Sequence, residues 1–257
     1  MTEANASPAT AWPLVSVIVP VFEAAVFLGE ALASIAAQNY APLEVLVVDD
    51  GSTDHPERVV ARVGLRARFL TQANAGPAAA RNHGLRESTG SLIAFLDADD
   101  RWTPGALQAL VRNAVDFPGV EMIHGHLQNY RVEPGGNGGE ERILLGKPRL
   151  SFNVGSGLFR REIFDRIGPF DENLRTSEDV DLFVRIKEAG FRRLVIPEVT
   201  LLYRRGQGGI MESLPPEVRT STHHHRWLHI LARSMKRRLA EDKARKPAPP
   251  REPRPQG

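Results

Sequence analysis

Short apolar runs alternate with helical patterns through the first hundred residues of this chain. Strand character is found in "LVSVIVPVF", "LEVLVVDDG", "ARFLTQ" and "SLIAFLDADD", and helical character in "VFLGEALASIAAQ" and "AGPAAARNHGLRES". Strand, helix, strand, helix is the pattern of a parallel sheet covered by helices. The sequence therefore predicts an α/β fold with a mostly parallel sheet, whose ligands bind at the edge where the strands end.

Two of these strands end in paired acidic residues, in "VVDDGS" and "FLDADD". Side chains alternate along a strand, so we expect Asp97 and Asp99 to point to one side and Asp100 to the other. Two converging carboxylates raise each other's pKa unless a cation lies between them, and a hard divalent ion is the usual one. The alternative is that Asp100 caps the next helix, near "TPGALQALVRNAV", and that the others are turn residues.

The composition narrows the class of protein. The 257 residues include no cysteine, which excludes disulfides and thiolate metal sites and fits a reducing compartment. The N-terminal segment lacks the basic start and apolar centre of a signal peptide, and the longest apolar run is too short to span a bilayer. We therefore expect a cytoplasmic protein, with residues 1–13 disordered.

The charge is distributed unevenly along the chain. Residues 219–257 carry eleven Lys or Arg and three acids, whereas residues 1–218 carry 22 basic and 28 acidic groups. The acidic body argues against a nucleic-acid partner. Residues 213–246 are predicted to form a basic amphipathic helix, which lies either on the inner face of an anionic membrane or on protein surface. Residues 247–257 are Pro-rich and predicted to be disordered.

Three longer motifs follow one another along the chain: "VSVIVPVFEAAVFLGEALASIAAQNYAPLEVLVVDDGSTD", "NAGPAAARNHGLRESTGSLIAFLDADD" and "GPFDENLRTSEDVDLFVRIKEAG". In this order they resemble the motifs of family 2 glycosyltransferases of the GT-A fold. The resemblance implies a Rossmann-like GT-A domain over residues 14–212 that carries a C-terminal helical extension. It also implies a nucleotide-sugar donor, with a UDP-sugar as the first expectation, a Mg or Mn ion, and inverting transfer to a glycan or lipid-linked acceptor.

The resemblance implies which residues contact the donor. Asp50 is expected to hydrogen-bond the nucleobase, Asp97 to reach the donor, and Asp99 to bind the metal. A carboxylate that accepts a hydrogen bond from a uracil N–H is sound chemistry. The alternative for Asp50 is a turn residue that bonds its own backbone before Gly51. Two further donor-binding positions are Pro20 and Ala98.

An aromatic, an acidic and a basic residue are also expected near the donor. Phe22 follows the first strand, where its ring would stack on a nucleobase, and core packing is the alternative. Glu23 is the next donor contact, although the family more often has Tyr then Asn at these two positions. Arg81 in "AARN" is similar to a family arginine near the donor phosphates, and the alternative is an exposed helical arginine.

The general base is expected in "TSEDVDLFVRIKEAG", where Glu178, Asp179 and Asp181 fall in the first turn of a helix. The resemblance implies that Asp179 is the base, with Glu178 and Asp181 as weaker candidates and Glu178 also near substrate. The alternative is structural, because the helix dipole favours acids there and Thr176 with Asp179 resembles a capping box. Upstream, Gly155 offers backbone that an acceptor can approach closely.

The chain departs from the family after its later strands, where many GT-A enzymes have a metal-binding His and "LLYRRGQGG" has none. Arg204 or Arg205 is the expected replacement at the diphosphate, or else a loop closes over it. A binding module that no longer transfers sugar is therefore an alternative function. A nucleotidyltransferase is disfavoured, because "PVFEAAVF" is not a Gly-rich basic phosphate loop.

Overall fold

The computed structural model describes residues 12–134, 139–174 and 176–206. The predictions for residues 213–246 and 247–257, and nearly all of that for residues 1–13, lie outside these ranges. Within them, no helix is both long enough and apolar enough to cross a bilayer.

Nine strands form one sheet in the described part of the chain. Each predicted strand of the first hundred residues is present, and further strands follow after residue 100. Their bounds are β1 Val15–Val21, β2 Leu43–Asp49, β3 Arg68–Thr71, β4 Leu92–Phe95, β5 Arg101–Trp102, β6 Met122–Pro134, β7 Glu140–Arg149, β8 Gly157–Arg160 and β9 Arg193–Arg204.

Six α-helices connect the described strands. The helices predicted after β1, after β3, after the acidic strand end and at "TSEDVDLFVRIKEAG" all occur. Their bounds are α1 Ala25–Ala36, α2 Pro56–Arg62, α3 Pro77–Glu87, α4 Ala106–Asp116, α5 Arg161–Ile167 and α6 Glu178–Glu188. A short 3₁₀ turn, Val154–Ser156, precedes β8.

The sheet has the strand order β3-β2-β1-β4-β8-β6-β9-β5, with β7 paired to β6. The first four strands of the chain pair in parallel, in the spatial order β3-β2-β1-β4. Strand β8 then runs antiparallel to β4 and β6, and β9 runs parallel to β6. The α/β fold class is confirmed, with the parallel pairs concentrated in the half formed by residues 15–95.

Helices cover both faces of this sheet because its strands are apolar on both sides. Val17 and Val19 of β1 pack with α1 and α4 in one cluster of buried residues, while Ile18 packs with α3, α5 and α6 in the other. Helix α3 approaches β1 closely, since a Cβ built at Gly84 would lie 2.5 Å from Ile18 Cγ2. A small side chain is therefore required where α3 crosses the sheet.

Candidate active site

The ends of β1 and β2 place Asp49 and Asp50 at the predicted ligand edge. Asp49 holds its own turn, since Ser52 N donates to Asp49 Oδ1 at 2.9 Å. Asp50 instead accepts from Gln72 Nε2 at 2.8 Å and from the backbone N–H groups of Ala75 and Gly76 at 2.9 and 2.8 Å. The residue that bonds the backbone of its own turn is therefore Asp49. The side chain of Asp50 instead holds the loop that leads into α3. Its contact with a nucleobase stays a prediction.

Phe22 and Glu23 lie just beyond β1, at the same edge. Phe22 is 49% exposed, so core packing does not account for it. Glu23 has a left-handed backbone (φ 48°), and its Oε1 accepts from Thr53 N at 2.8 Å and Thr53 Oγ1 at 3.0 Å. Glu23 therefore links the loop after β1 to the loop after β2. The side chain of Phe22 is half-exposed to solvent. Pro20 and, after β4, Ala98 are buried beside this edge.

Arg81 joins the end of β4 to the start of α6. Its Nη2 donates to Asp97 Oδ1 at 2.6 Å, and its Nη1 donates to Glu178 Oε1 at 2.6 Å. The residue is 4% exposed, so the exposed-arginine alternative is wrong. Burial opposes the charge of Arg81, but the two carboxylates outweigh it and raise the pKa of the guanidinium. The cation beside Asp97 is thus an arginine of the protein itself.

Asp100 points into the protein, away from the edge. Its Oδ1 accepts from Arg204 N at 2.9 Å, and the side chain does not cap α4. The first turn of α4 is instead held by Gln38, whose Oε1 accepts from Leu107 N at 3.0 Å. Burial and the charges of Asp99 and Asp97 raise the pKa of Asp100 well above its ordinary value. The helix-cap alternative for Asp100 is therefore wrong.

Arg204 stabilises the loop that carries Asp99 and Asp100. Its Nε donates to the backbone oxygen of Asp99 at 3.0 Å and its Nη2 to Glu30 Oε2 at 3.0 Å, while the guanidinium lies 4.8 Å from the ring centre of Phe27. The side chain is buried by these contacts. They give Arg204 a structural role, which differs from the diphosphate contact expected from the sequence.

Tyr203 was not singled out from the sequence, where it reads as an ordinary strand aromatic. Burial raises the pKa of its phenol, and the charges of Asp100, Asp97 and Asp99 raise it further. The side chain therefore lies within electrostatic reach of all three carboxylates. No sequence signal marks this position, because the proximity arises from the pairing of β9 with β6 and β5.

The donor set near Asp99 is compatible with a divalent ion that binds together with phosphate. Within the described residues, no cluster of three or more His, Asp or Glu side chains is arranged to hold a metal. Mg²⁺ in phosphate-binding sites commonly uses one or two carboxylates and completes its shell with phosphate oxygens and water. Asp99 is partly exposed and supplies such an oxygen donor. The residues thus fit Mg or Mn delivered with a diphosphate.

Asp179 lies in the first turn of α6, next to the Arg81 bridge. Its Oδ1 accepts from Val180 N at 2.7 Å, and Ser177 at the N-cap makes no side-chain capping bond. The N-cap is thus Ser177 and not Thr176, so the capping-box alternative does not describe this helix start. Burial raises the pKa of Asp179 to about 7, and the charge of Glu178 adds to this while Arg81 opposes it. A carboxylate with a pKa near neutrality is suited to general-base work.

Asp181 has a different environment two residues further along α6. It is buried, and its Oδ2 accepts from Arg185 Nε at 2.7 Å. Arg185 also donates to the backbone oxygens of Ile167 and Pro169, each at 2.9 Å. Asp181 therefore links α6 to the segment between α5 and α6.

Gly155 does not offer open backbone to an acceptor. Its N–H donates to Asn153 Oδ1 at 2.7 Å, and its oxygen accepts from Trp102 Nε1 at 2.9 Å. A Cβ at this position would lie 3.2 Å from Leu201 Cδ2. Glycine is needed here for packing, and both backbone polar groups are already paired. An acceptor contact at Gly155 stays a prediction, and the observed contacts of this residue are internal ones.

Known proteins share the sequence family and the fold of this chain. The family model described as glycosyl transferase family 2 matches residues 16–173. The uncharacterized glycosyltransferase RT0329 of Rickettsia typhi is 29% identical over 199 residues, covering 72% of this chain and 63% of the relative. The uncharacterized glycosyltransferase EpsJ of Bacillus subtilis is 28% identical over 218 residues, covering 78% and 63%. The chain thus spans less than two thirds of the length of these relatives.

Two solved structures have the same fold. The S. aureus TarS fragment 1–349 in complex with UDP-GlcNAc superimposes with a TM-score of 0.61 at 22% identity, covering 78% of this chain and 61% of that one. The mannosyltransferase PcManGT of Pyrobaculum calidifontis, in complex with GDP-Man and Mn2+, gives 0.62 at 24% identity, covering 94% and 67%. At this level of identity the similarity concerns the GT-A fold.

Proposed function

This chain belongs to glycosyl transferase family 2, and we propose that it is a glycosyltransferase that moves a sugar with inversion from a nucleotide-sugar to a glycan or lipid-linked acceptor. The observation that carries the proposal is the Arg81 bridge, which holds Asp97 at the donor edge and Glu178 beside Asp179 through two contacts of 2.6 Å. One cation thus links the donor side of the site to the residue suited to act as base.

In the proposed reaction, the acceptor hydroxyl oxygen forms a bond to the anomeric carbon as the bond from that carbon to the donor phosphate breaks. Asp179 accepts the hydroxyl proton, and the electron pair of the broken bond leaves on the nucleoside diphosphate. Attack from the face opposite the leaving group inverts the anomeric carbon. A pKa of about 7 makes the ionised form of Asp179 available near neutral pH.

The donor is proposed to lie along the ends of β1, β2 and β4, with its nucleobase between Phe22 and Asp50. Asp99 would hold Mg or Mn, which offsets negative charge on the diphosphate. A UDP-sugar remains our first expectation. TarS has been solved with UDP-GlcNAc and PcManGT with GDP-Man, so both nucleotides belong in any test.

The acceptor is proposed to approach from the side of α6. The basic segment at residues 213–246 supports a peripheral contact with an anionic membrane, where a lipid-linked acceptor would be met. This part of the proposal rests on sequence, because the segment lies outside the described residues.

The test is transfer by purified enzyme from a panel of UDP- and GDP-sugars with Mn, comparing wild type with Asp179→Asn. We expect turnover to fall by about two to four orders of magnitude with donor affinity nearly unchanged, because asparagine keeps the shape but accepts no proton. Asp181→Asn is the matched control, since its partner is Arg185.

Transfer by Asp179→Asn at the wild-type rate would show that another group is the base. A wild-type protein that binds nucleotide-sugars but neither transfers nor hydrolyses them would be the binding module considered above. Donor affinity is measured separately by calorimetry, so these two outcomes are distinct.

A further inference from the structure

We propose that Arg81 and Glu178 are positioning residues, which together fix the place and the charge state of Asp179 and so couple the donor edge to the base. The inference rests on the proposed function only in naming Asp179 as the base. The arrangement itself consists of one buried cation between two carboxylates, one from each side of the site.

Arg81 is held rigidly at its own end. Helix α3 lies so close to β1 that only a glycine fits at position 84, which fixes the height of the helix above the sheet. The guanidinium lies 5.6 Å from the ring centre of Phe170, and Asn82 beside it donates to Phe170 O at 2.9 Å. The guanidinium thus packs against Phe170 and bonds one carboxylate after β4 and one on α6.

Glu178 is the group that meets Arg81 from α6. It is the first residue of the helix, is buried, and lies directly before Asp179 in the chain. Its contact with Arg81 at 2.6 Å therefore fixes the N-terminal turn of α6 in front of the donor edge. Ser177 makes no side-chain capping bond, so this turn is held by other contacts: Glu178 bonds Arg81, and Asp181 bonds Arg185.

The charges that face Asp179 come from three elements. Glu178 lies on α6 itself, Arg81 on α3, and Asp97 after β4. Burial is the largest influence and favours the neutral acid, the two carboxylates act in the same direction, and Arg81 acts against them. The bridge thus places one positive charge and two negative charges beside the Asp179 carboxyl group. Removing either member should move the titration of Asp179, in opposite directions.

A purely structural role for the bridge makes a different prediction. A buried ion pair that only holds α6 in place would lower stability when broken, whichever partner is replaced. If the bridge acted only as support and its charges did not reach Asp179, the titration of Asp179 would be the same in both variants as in wild type. The sign of the shift therefore separates positioning from simple support.

The experiment is a ¹³C NMR titration of the Asp179 carboxyl group in protein labelled at aspartate, with the signal assigned by its loss in Asp179→Asn. In wild type we expect a midpoint near 7. In Glu178→Gln, which can still accept from Arg81, the midpoint should fall by about one pH unit. In Arg81→Gln it should rise, and in the control Glu188→Gln, at the far end of α6, it should stay unchanged.

Activity gives a second reading of the same effect. If the midpoint falls from about 7 to about 6, the ionised fraction of Asp179 at pH 6 rises about five-fold. The ratio of kcat/KM at pH 6 to that at pH 8 should rise by the same factor in Glu178→Gln. Thermal melting confirms that each variant is folded, and if Arg81→Gln is not, Glu178→Gln alone still decides the sign.

An unchanged or raised midpoint in folded Glu178→Gln would overturn the inference. If Asp179→Asn abolishes transfer while the Glu178→Gln midpoint equals that of wild type, the proposed function stands and the positioning role fails. If no nucleotide-sugar is used but the midpoint falls in Glu178→Gln, the positioning role stands and the proposed function fails. The NMR titration needs no turnover, which keeps the two results independent.

Discussion

Gly84 is the position where one added methyl group should have the clearest cost. It lies in α3, and a Cβ there would be 2.5 Å from Ile18 Cγ2 and 3.2 Å from both Ile18 Cγ1 and Val48 Cγ2. Ile18 is fully buried in β1, so it has no free space into which to turn. In Gly84→Ala, helix α3 must therefore rise from the sheet or the strand must distort.

Helix propensity and overpacking have opposite effects on the free energy of unfolding of Gly84→Ala. Alanine is favoured over glycine within a helix by about 1 kcal/mol, whereas overpacking a filled core costs about 1–3 kcal/mol. Gly84→Ala should thus lower the free energy of unfolding by about 0–2 kcal/mol. Gly29→Ala in α1 is the matched control, because its Cβ would meet only Val59 Cγ1 at an ordinary 3.6 Å. It should stabilise the protein by about 1 kcal/mol or less, since the helix term acts alone.

Urea unfolding of the two variants measures the difference, which we expect to be about 1–3 kcal/mol. In an Ile18→Ala background the two crowding carbons of Ile18 are gone and only Val48 Cγ2 remains near, so adding Gly84→Ala should cost much less than it does in wild type. If Gly84→Ala is as stable as Gly29→Ala, the close approach of α3 to β1 is wrong. The rigid placement of Arg81 would then lose its support as well.

Two further predictions concern the chemistry of the site. Asp179 must be ionised to accept a proton, and its pKa is about 7. The value of kcat/KM should therefore fall about tenfold for each pH unit below about 7. A profile that stays flat to about pH 5 would exclude this carboxylate as the base. Asp99→Ala should abolish Mn-dependent donor binding in calorimetry while leaving the melting temperature close to that of wild type; donor and Mn binding equal to wild type would mean that the ion is held elsewhere.

The sequence predicted the parallel half of the sheet because its signals are local. The apolar runs of β1, β2 and β4 are buried on both faces, and acidic residues mark the strand ends. Helices with large apolar side chains on one face, such as α4 and α6, were equally visible. Local patterns also placed Asp179 in the first turn of α6, since a helix start depends on neighbouring residues.

The contacts that define the site were not predictable, because they join residues far apart in the chain. Helix α3 buries mainly small side chains against the sheet, and such a helix gives no clear apolar stripe from which the burial of Arg81 could be read. Its partner Glu178 is 97 residues away. Asp100 looked like a helix cap, yet its partner is the backbone of Arg204, 104 residues away. The spacing of apolar and polar residues along a sequence does not indicate which distant residues pair in the fold.

The two partners of Arg81 also differ in when they become available during synthesis. Asp97 is 16 residues downstream of Arg81, whereas Glu178 is 97 residues downstream. At about 5–20 residues per second, a ribosome needs about 5–20 seconds to add the longer stretch. For most of that time Asp97 is the one of the two carboxylate partners of Arg81 that the chain already contains. Asp179 therefore joins the donor edge late in synthesis, and Arg204, which supports the loop of Asp99, is added later still.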